Sequence, residues 1–111
     1  MRIAFATSDG VHVDEQFRRA TRLAVYEVGP GGARLERVVA FEPDRTIRTE
    51  GRIDAIRDAA VVFGTAFSPS SAVRVAARGI RPATAPPGTR ITDLLARLDL
   101  PEGGPDRRGT D

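Results

Sequence analysis

Runs of apolar residues, some alternating and some continuous, predict five β-strands along this chain. The opening segment alternates around Ile3 and Phe5, which is the period of a half-buried strand. A glycine- and proline-rich stretch at 29–32 predicts a tight turn and therefore a β-hairpin. The wholly apolar run 60–64 is typical of a central strand covered on both faces. The predicted strands are residues 2–7, 21–28, 34–41, 60–64 and 80–85.

Three helices are predicted from capping residues and from apolar spacing. The second of them begins with Ser68 as N-cap and Pro69 in the favoured first position, and Gly79 ends it. The predicted helices are about 50–58, 68–79 and 89–98. The main connections are a long loop at 8–20, which has room for one helical turn, and a polar segment at 42–49.

This order of elements favours an α/β fold. An antiparallel meander followed by right-handed crossovers gives one mixed five-stranded sheet with helices on its faces, in which the strands, counted along the chain, are ordered 3-2-1-4-5. The first and fourth strands are then parallel neighbours whose connections leave in different directions, so a crevice is expected at their carboxyl ends. The segments 8–20 and 64–71 would line it. A single domain is expected over 1–98, with a disordered tail over 99–111.

Composition narrows the chemistry. The chain has 111 residues, enough for one domain, and it contains no cysteine, which excludes disulfides, thiolate-held zinc and a cysteine-ligated iron–sulfur cluster. No long apolar run or signal peptide is visible, so we expect a cytoplasmic protein that binds no membrane. The net charge is only +2 and the arginines are scattered among acids, which argues against nucleic-acid binding.

The first loop contains His12, the only histidine and therefore the candidate metal ligand. The alternative is a solvated loop histidine. Asp9 and its acidic neighbours could hold a hard cation or act in acid–base chemistry, although acids in such loops more often bond backbone amides. The arginines at 18, 19 and 22 could attract an anion or simply face solvent.

The second loop offers a helix N-terminus, where free N–H groups and the helix dipole favour an anion. Ser68, Ser70 and Ser71 add hydroxyl groups there, while ordinary capping is the alternative interpretation. No serine lies in a nucleophile-elbow motif and no glycine-rich phosphate loop is present in the sequence. The sequence therefore gives no support, from these two motifs, to an enzyme.

Several ordered segments resemble the dinitrogenase iron–molybdenum cofactor biosynthesis family, which includes NifX-like carriers and the C-terminal part of NifB-like proteins. The resemblance covers about residues 2–98. The segments that carry it are Ile3–Gly10, Val13–Phe17, Leu23–Val28, Ala60–Gly64, Ser70–Ala72, Ala77–Pro82 and the closing helix with Leu94 and Leu95. In the loop the family usually has Val-Asp-x-His-Phe-Gly; here Gln16 stands in place of that histidine and Arg18 in place of the glycine.

The resemblance implies a ribonuclease-H-like three-layer fold and a non-catalytic carrier, for nitrogen fixation, of the iron–molybdenum cofactor or its iron–sulfur precursor. The partners it implies are nitrogenase cofactor assembly proteins, and we expect a monomer or weak homodimer. The cofactor-binding candidates are Ser8, Asp9, His12, Gln16, Arg18, Ser68, Ser70 and Ser71, with His12 as metal ligand.

Two alternatives stay open at this point. The changes at Gln16 and Arg18 favour a regulatory or protein-interaction module that kept the fold and lost the ligand. A nuclease, suggested by fold alone, would need clustered carboxylates beginning on the first strand, which has none before Asp9 at its end.

Overall fold

The computed structural model describes residues 1–41 and 49–98. Within these ranges its elements are seven strands, three α-helices and one 3-10 turn at Phe17–Arg19, and the α-helices all lie within residues 49–98. The strands are β1 Arg2–Thr7, β2 His12–Val13, β3 Arg22–Gly29, β4 Gly32–Ala40, β5 Val61–Gly64, β6 Arg81–Thr84 and β7 Thr89–Arg90. The helices are α1 Thr49–Ala55, α2 Pro69–Ala77 and α3 Ile91–Leu98.

Five of these strands form one mixed sheet in the order β4-β3-β1-β5-β6. β1 pairs antiparallel with β3 and parallel with β5, and β6 continues parallel to β5. The predicted mixed five-stranded α/β sheet with three helices is therefore confirmed. Since the chain leaves β1 toward β3 on one side and reaches β5 on the other, the carboxyl ends of β1 and β5 are a point where connections diverge.

Alternate residues of β1 divide the core between the two faces of the sheet. Ala4 and Ala6 pack toward α1 and α2 in a cluster with Ile53, Ile56 and Val75. Ile3 and Phe5 face the other way and pack with α3, in a cluster whose helical members are Ile91, Leu94 and Leu95. The sheet is thus covered by α1 and α2 on one face and by α3 on the other.

The predicted loop 8–20 contains a strand that the sequence did not indicate. His12 pairs with Arg90 and Val13 with Thr89, so β2 and β7 form a separate two-stranded sheet. This pairing also corrects the predicted start of the last helix at 89. The N–H of Ile91 donates to the carbonyl of Val11 (2.8 Å), and the helix begins at this residue.

The first helix is shorter than predicted, because α1 ends at Ala55 rather than at 58. The N–H of Ile56 bonds to the carbonyl of Ile53 (3.0 Å) and that of Ala59 to Ile56 (2.8 Å), which is the tighter spacing of a helix ending in a 3-10 turn. The polar connection at 42–48 and the predicted tail at 99–111 lie outside the described residues. Within the described ranges, no helix is long and apolar enough to cross a bilayer.

Candidate functional site

The loop after β1 and the segment after β5 meet at the same end of the sheet. The N–H of Thr65 donates to the carbonyl of Glu15 (2.9 Å), and the N–H of Phe17 donates to the carbonyl of Ala66 (3.2 Å). A Cβ at Gly64 would lie 3.4 Å from both the Glu15 oxygen and the Phe17 nitrogen. The two hydrogen bonds therefore join the segments directly, and a side chain at position 64 would lie in van der Waals contact with the loop backbone.

Aromatic side chains fill the seam between these segments on the side of α1 and α2. Phe17 is completely buried and stacks on Phe67, with ring centroids 5.6 Å apart and an interplanar angle of 22°. The crevice expected between the loops is closed along this seam, because apolar packing and backbone hydrogen bonds occupy it. A ligand at this end would contact the outer surface of the loops.

The turn that follows β1 is held by side chains that bond its own backbone. The buried hydroxyl of Thr7 accepts the N–H of Gly10 (2.9 Å), and the Asp9 carboxylate accepts the N–H groups of Val11 and His12 (2.8 Å each). Gly10 has a φ of 79°, a conformation that favours glycine. Asp9 therefore has a structural role in the turn, in agreement with the amide-bonding alternative.

His12 is oriented by the same carboxylate. Its Nδ1 lies 2.7 Å from Oδ2 of Asp9, while the side chain is 38% exposed. The hydrogen bond from the imidazole, followed by those from the backbone, holds the pKa of Asp9 well below its usual range. Within the described part of the chain, Nε2 of His12 makes no hydrogen bond to protein. No group of three or more potential metal-ligating side chains occurs in the described residues.

Ser8 forms hydrogen bonds with Asp14 and Arg22, which lie further along the loop and at the start of β3. Its N–H donates to Oδ1 of Asp14 (2.8 Å), its hydroxyl donates to Oδ2 of the same carboxylate, and its carbonyl accepts a hydrogen bond from the guanidinium of Arg22. The predicted pair of Ser8 and Asp9 thus lies beside His12, but both residues bond neighbouring parts of the loop.

Gln16 and Arg18 lie on the exposed surface of the 3-10 turn. Gln16 precedes the turn, and its side chain does not cap it. Arg18 and Arg19 are exposed and form no ion pair with any acid in residues 1–41 or 49–98. These residues lie on the same loop as His12, and the guanidinium groups of Arg18 and Arg19 are exposed to solvent.

Sequence reasoning missed a buried arginine that anchors this loop from behind. Arg52 of α1 is 6% exposed, donates to the carbonyl of Ala20 from Nε (3.2 Å) and Nη2 (2.9 Å), and lies 4.8 Å from the ring centre of Phe41. Burial lowers its pKa, while the attraction of Glu15 acts in the opposite direction. Its position next to Ile53 on the apolar helix face was the available signal.

Glu15 completes this anchor, because its carboxylate accepts the N–H of Thr21 (2.7 Å). It also accepts the hydroxyl group of Thr21, which fixes the start of β3 relative to the loop. The carboxylate of Glu15 is therefore committed to the backbone, as are those of Asp9 and Asp14.

The predicted serines lie at the start of α2 and differ in their surroundings. The Ser68 hydroxyl accepts the N–H of Ser71 (3.2 Å) and donates to the Ser71 hydroxyl (2.8 Å), and Ser71 is only 1% exposed. Ser70 is exposed. Capping accounts for Ser68 and Ser71, which leaves Ser70 as the serine of the three best placed to reach a ligand.

Comparison with known proteins gives consistent matches over most of the chain. The family model described as dinitrogenase iron-molybdenum cofactor matches residues 1–99. Protein NifX of Klebsiella pneumoniae is 35% identical over 90% of this chain and 66% of its own length, and Protein NifX of Herbaspirillum seropedicae is 31% identical over 88% and 70%. The chain spans about two thirds of the length of these relatives.

A solved structure agrees with the fold. The crystal structure of PH0822 superposes with a TM-score of 0.72 and covers 89% of this chain and 88% of its own, at 20% sequence identity. That likeness concerns the fold alone. The family match extends over the whole described region and the NifX proteins match about nine tenths of the chain, so this chain belongs to the dinitrogenase iron-molybdenum cofactor family.

Proposed function

We propose that this chain takes part in nitrogenase cofactor biosynthesis as a non-catalytic cytoplasmic carrier. Its cargo would be the iron–molybdenum cofactor or an iron–sulfur precursor, which it would receive from and pass to other assembly proteins. The family membership and the NifX relatives support this proposal. We also propose that the three-layer arrangement belongs to the ribonuclease-H-like class.

The observation that carries the proposal is the pairing of Asp9 with His12. Because a carboxylate only accepts hydrogen bonds, the 2.7 Å contact requires the proton on Nδ1, and in the neutral imidazole the Nε2 lone pair is then available to a metal. A carboxylate behind a histidine fixes the ring and raises its basicity, as is common for metal-ligating histidines. His12 is thus prepared to bind an exposed metal of a cluster through Nε2, and it would serve where the family's usual histidine is replaced by Gln16.

Two guanidinium groups of the same loop are available to an anionic cargo. Arg18 and Arg19 form no ion pair with an acid of the described residues, and the carboxylates of Asp9, Asp14 and Glu15 are held by backbone N–H groups. Charge-assisted hydrogen bonds from guanidinium groups are strong and favour anions. We propose that Arg18 and Ser70 contact the cargo from either side of the seam, and that Ser8, Gln16, Ser68 and Ser71 shape the surface beneath it.

The hydrogen bonds at this end of the sheet leave the imidazole as the group available to a ligand, because each loop carboxylate already accepts one or more backbone N–H groups at 2.7–2.8 Å. The proposal of a carrier rather than an enzyme is supported by the family membership and the NifX relatives.

The test is anaerobic reconstitution of the purified protein with the isolated cofactor or its iron–sulfur precursor. We expect a brown protein that keeps iron through gel filtration, and a His12→Ala variant that loses at least about tenfold in cluster affinity. Asp9→Asn should lose less, because the imidazole is still present but no longer oriented. Arg57→Ala, an exposed arginine distant along the chain, is the matched control and should bind like the wild type.

Two outcomes would contradict different parts of the proposal. Colourless protein without iron, which nevertheless captures assembly proteins, would establish the ligand-free interaction module instead. Equal iron retention by the wild type and His12→Ala would keep the carrier but remove His12 as the ligand.

A further inference from the structure

Strand β4 forms one edge of the main sheet and presents apolar side chains to solvent. It spans nine residues, and in the described part of the chain its outer side pairs with no strand. Leu35 is 49% exposed and Val38 46% exposed. An uncovered edge of this length is a template for pairing with another chain unless charges or irregularities protect it.

Two hydrogen bonds establish which backbone groups of β4 point outward. The N–H of Val28 donates to the carbonyl of Met1 (2.7 Å), so the backbone groups of Val28 point toward β1. The backbone N–H and C=O of its partner Ala33 on β4 therefore point outward, away from the sheet. Leu35, two positions later, also faces outward. At the other end the N–H of Phe41 donates to the carbonyl of Thr21 (2.8 Å), so the backbone groups of Phe41 point toward β3. Those of Ala40 and Val38, one and three positions earlier, point outward.

A β-bulge separates these two outward pairs. Val25 pairs with Arg37 and Tyr26 with Leu35, so Glu36 is the additional residue on β4. The outward groups of Leu35 and Val38 are therefore three positions apart instead of two. A regular strand cannot match all four outward positions of β4, because its own hydrogen-bonding groups repeat every two residues.

A second copy of β4 has the same irregular spacing. If two copies run antiparallel about an axis between Glu36 and Arg37, Leu35 lies opposite Val38 of the second copy and Ala33 opposite Ala40. The bulges then face each other, and all four outward positions meet outward positions. This register is self-complementary, as a twofold interface requires.

The side chains agree with that register. Ala33, Leu35, Val38 and Ala40 lie on the α3 face, since their partners on β3 are Val28, Tyr26, Ala24 and Arg22. Apolar residues therefore meet apolar residues on that face. On the α1 and α2 face, where Arg37 bonds Asp58, Glu36 of each copy lies opposite Arg37 of the other. Opposite charges directly across a strand pair are stabilising.

We propose that β4 is a homodimerisation strand, through which two copies of this chain join their sheets into one of ten strands. The bulge that protects this edge from regular strands is the feature that selects a second copy. This proposal does not depend on cofactor binding, since β4 lies at the sheet edge beyond β3.

The first test is the oligomeric state by sedimentation and light scattering at rising concentration. We expect the mass to rise from 11.9 kDa toward twice that value. Val38→Lys should weaken the dimer by at least about tenfold, because a lysine on an edge strand opposes pairing. Val73→Lys, at a 69% exposed site on α2, is the matched control and should dimerise normally. A monomer at roughly 1 mM, where even weak association is visible, would overturn the proposal.

Cross-linking tests the register itself. Because the chain has no cysteine, Leu35→Cys and Val38→Cys introduce the sole thiols. A mixture of the two single variants should give a disulfide-linked dimer under mild oxidation, since the register places Leu35 opposite Val38 of the second copy. Each variant alone should cross-link several-fold less. Equal cross-linking in all three samples would exclude this register.

Discussion

The two ends of the β1 strand use their charged residues in opposite ways. Where β1 begins, acids neutralise arginines: Arg2 contacts Glu36 (2.8 Å) and Arg37 contacts Asp58 (2.7 Å). Where β1 ends, the acids bond backbone instead, as Asp9 does with the N–H groups of Val11 and His12. One end is closed by ion pairs, while the other keeps cationic side chains without acidic partners in the described ranges.

This difference gives the two ends different surfaces. Carboxylates that bond N–H groups order the loop that contains His12 and leave its exposed arginines without an acidic partner in the described ranges. An ion-pair network at the same place would occupy the guanidinium groups on which the proposed anionic cargo depends.

The largest effect is expected from Arg52, whose removal would detach the loop that contains His12 from α1. Arg52→Met should lower the free energy of unfolding by roughly 2–4 kcal/mol, because the Ala20 carbonyl loses both donors in a buried setting. Urea denaturation would measure it. Arg57→Met, at an exposed position just beyond the end of α1, is the control and should change stability by less than about 0.5 kcal/mol. Equal losses in the two variants would contradict the anchoring role.

A smaller effect is expected where β1 begins, from the pair of Arg37 and Asp58. Their hydrogen bond is the main cause that holds the pKa of Asp58 below its usual value. Since both side chains are about one-third exposed, a double-mutant cycle to alanine should give a coupling of only about 0.5–1 kcal/mol, which decreases with added salt. The looser pair of Arg74 and Glu50, at 3.8 Å, should give almost none. Comparable coupling in both pairs would show that geometry is unimportant here.

The smallest effect concerns the pH dependence of the stability that Asp9 contributes. The lowered pKa of Asp9 means that its ionised form is stabilised by folding, so this contribution is complete above its ordinary pKa of about 4 and is lost as the pH falls below it. Asp9→Asn should therefore flatten the decline in stability on acidification from about pH 4.

The matched control for that measurement is Asp93→Asn in the first turn of α3, where the aspartate is exposed and forms no hydrogen bond with the described residues. It should keep the slope of the wild type. A slope unchanged in Asp9→Asn as well would show that the pairing of Asp9 with His12 contributes nothing to folding.

The sheet was predictable because its signals are local. The apolar alternation around Ile3 and Phe5, the turn at 29–32 and the cap at Ser68 each depend on a few neighbouring residues. The strand at His12 was not predictable, because it spans two residues and exists through contact with Thr89 and Arg90, which are distant in sequence.

The candidate site was predictable in location but not in bonding. Topology alone brings the loop after β1 to the segment after β5. The predicted topology could not indicate that Phe17 and Phe67 would fill the seam, or that Arg52 of α1 would bond the carbonyl of Ala20. Those contacts depend on side-chain packing between elements, which a one-dimensional pattern does not encode.

The short β2–β7 ladder has a consequence for selectivity. Val13 accepts from Gly88 (2.9 Å) and Val11 from Ile91 (2.8 Å), so the segment around His12 is immobilised as the polypeptide folds. The conformational entropy of this segment is therefore lost on folding and not on association with the proposed cargo, which favours tight binding of a cargo of matching shape. The same rigidity prevents the segment from adapting to ligands of other shapes.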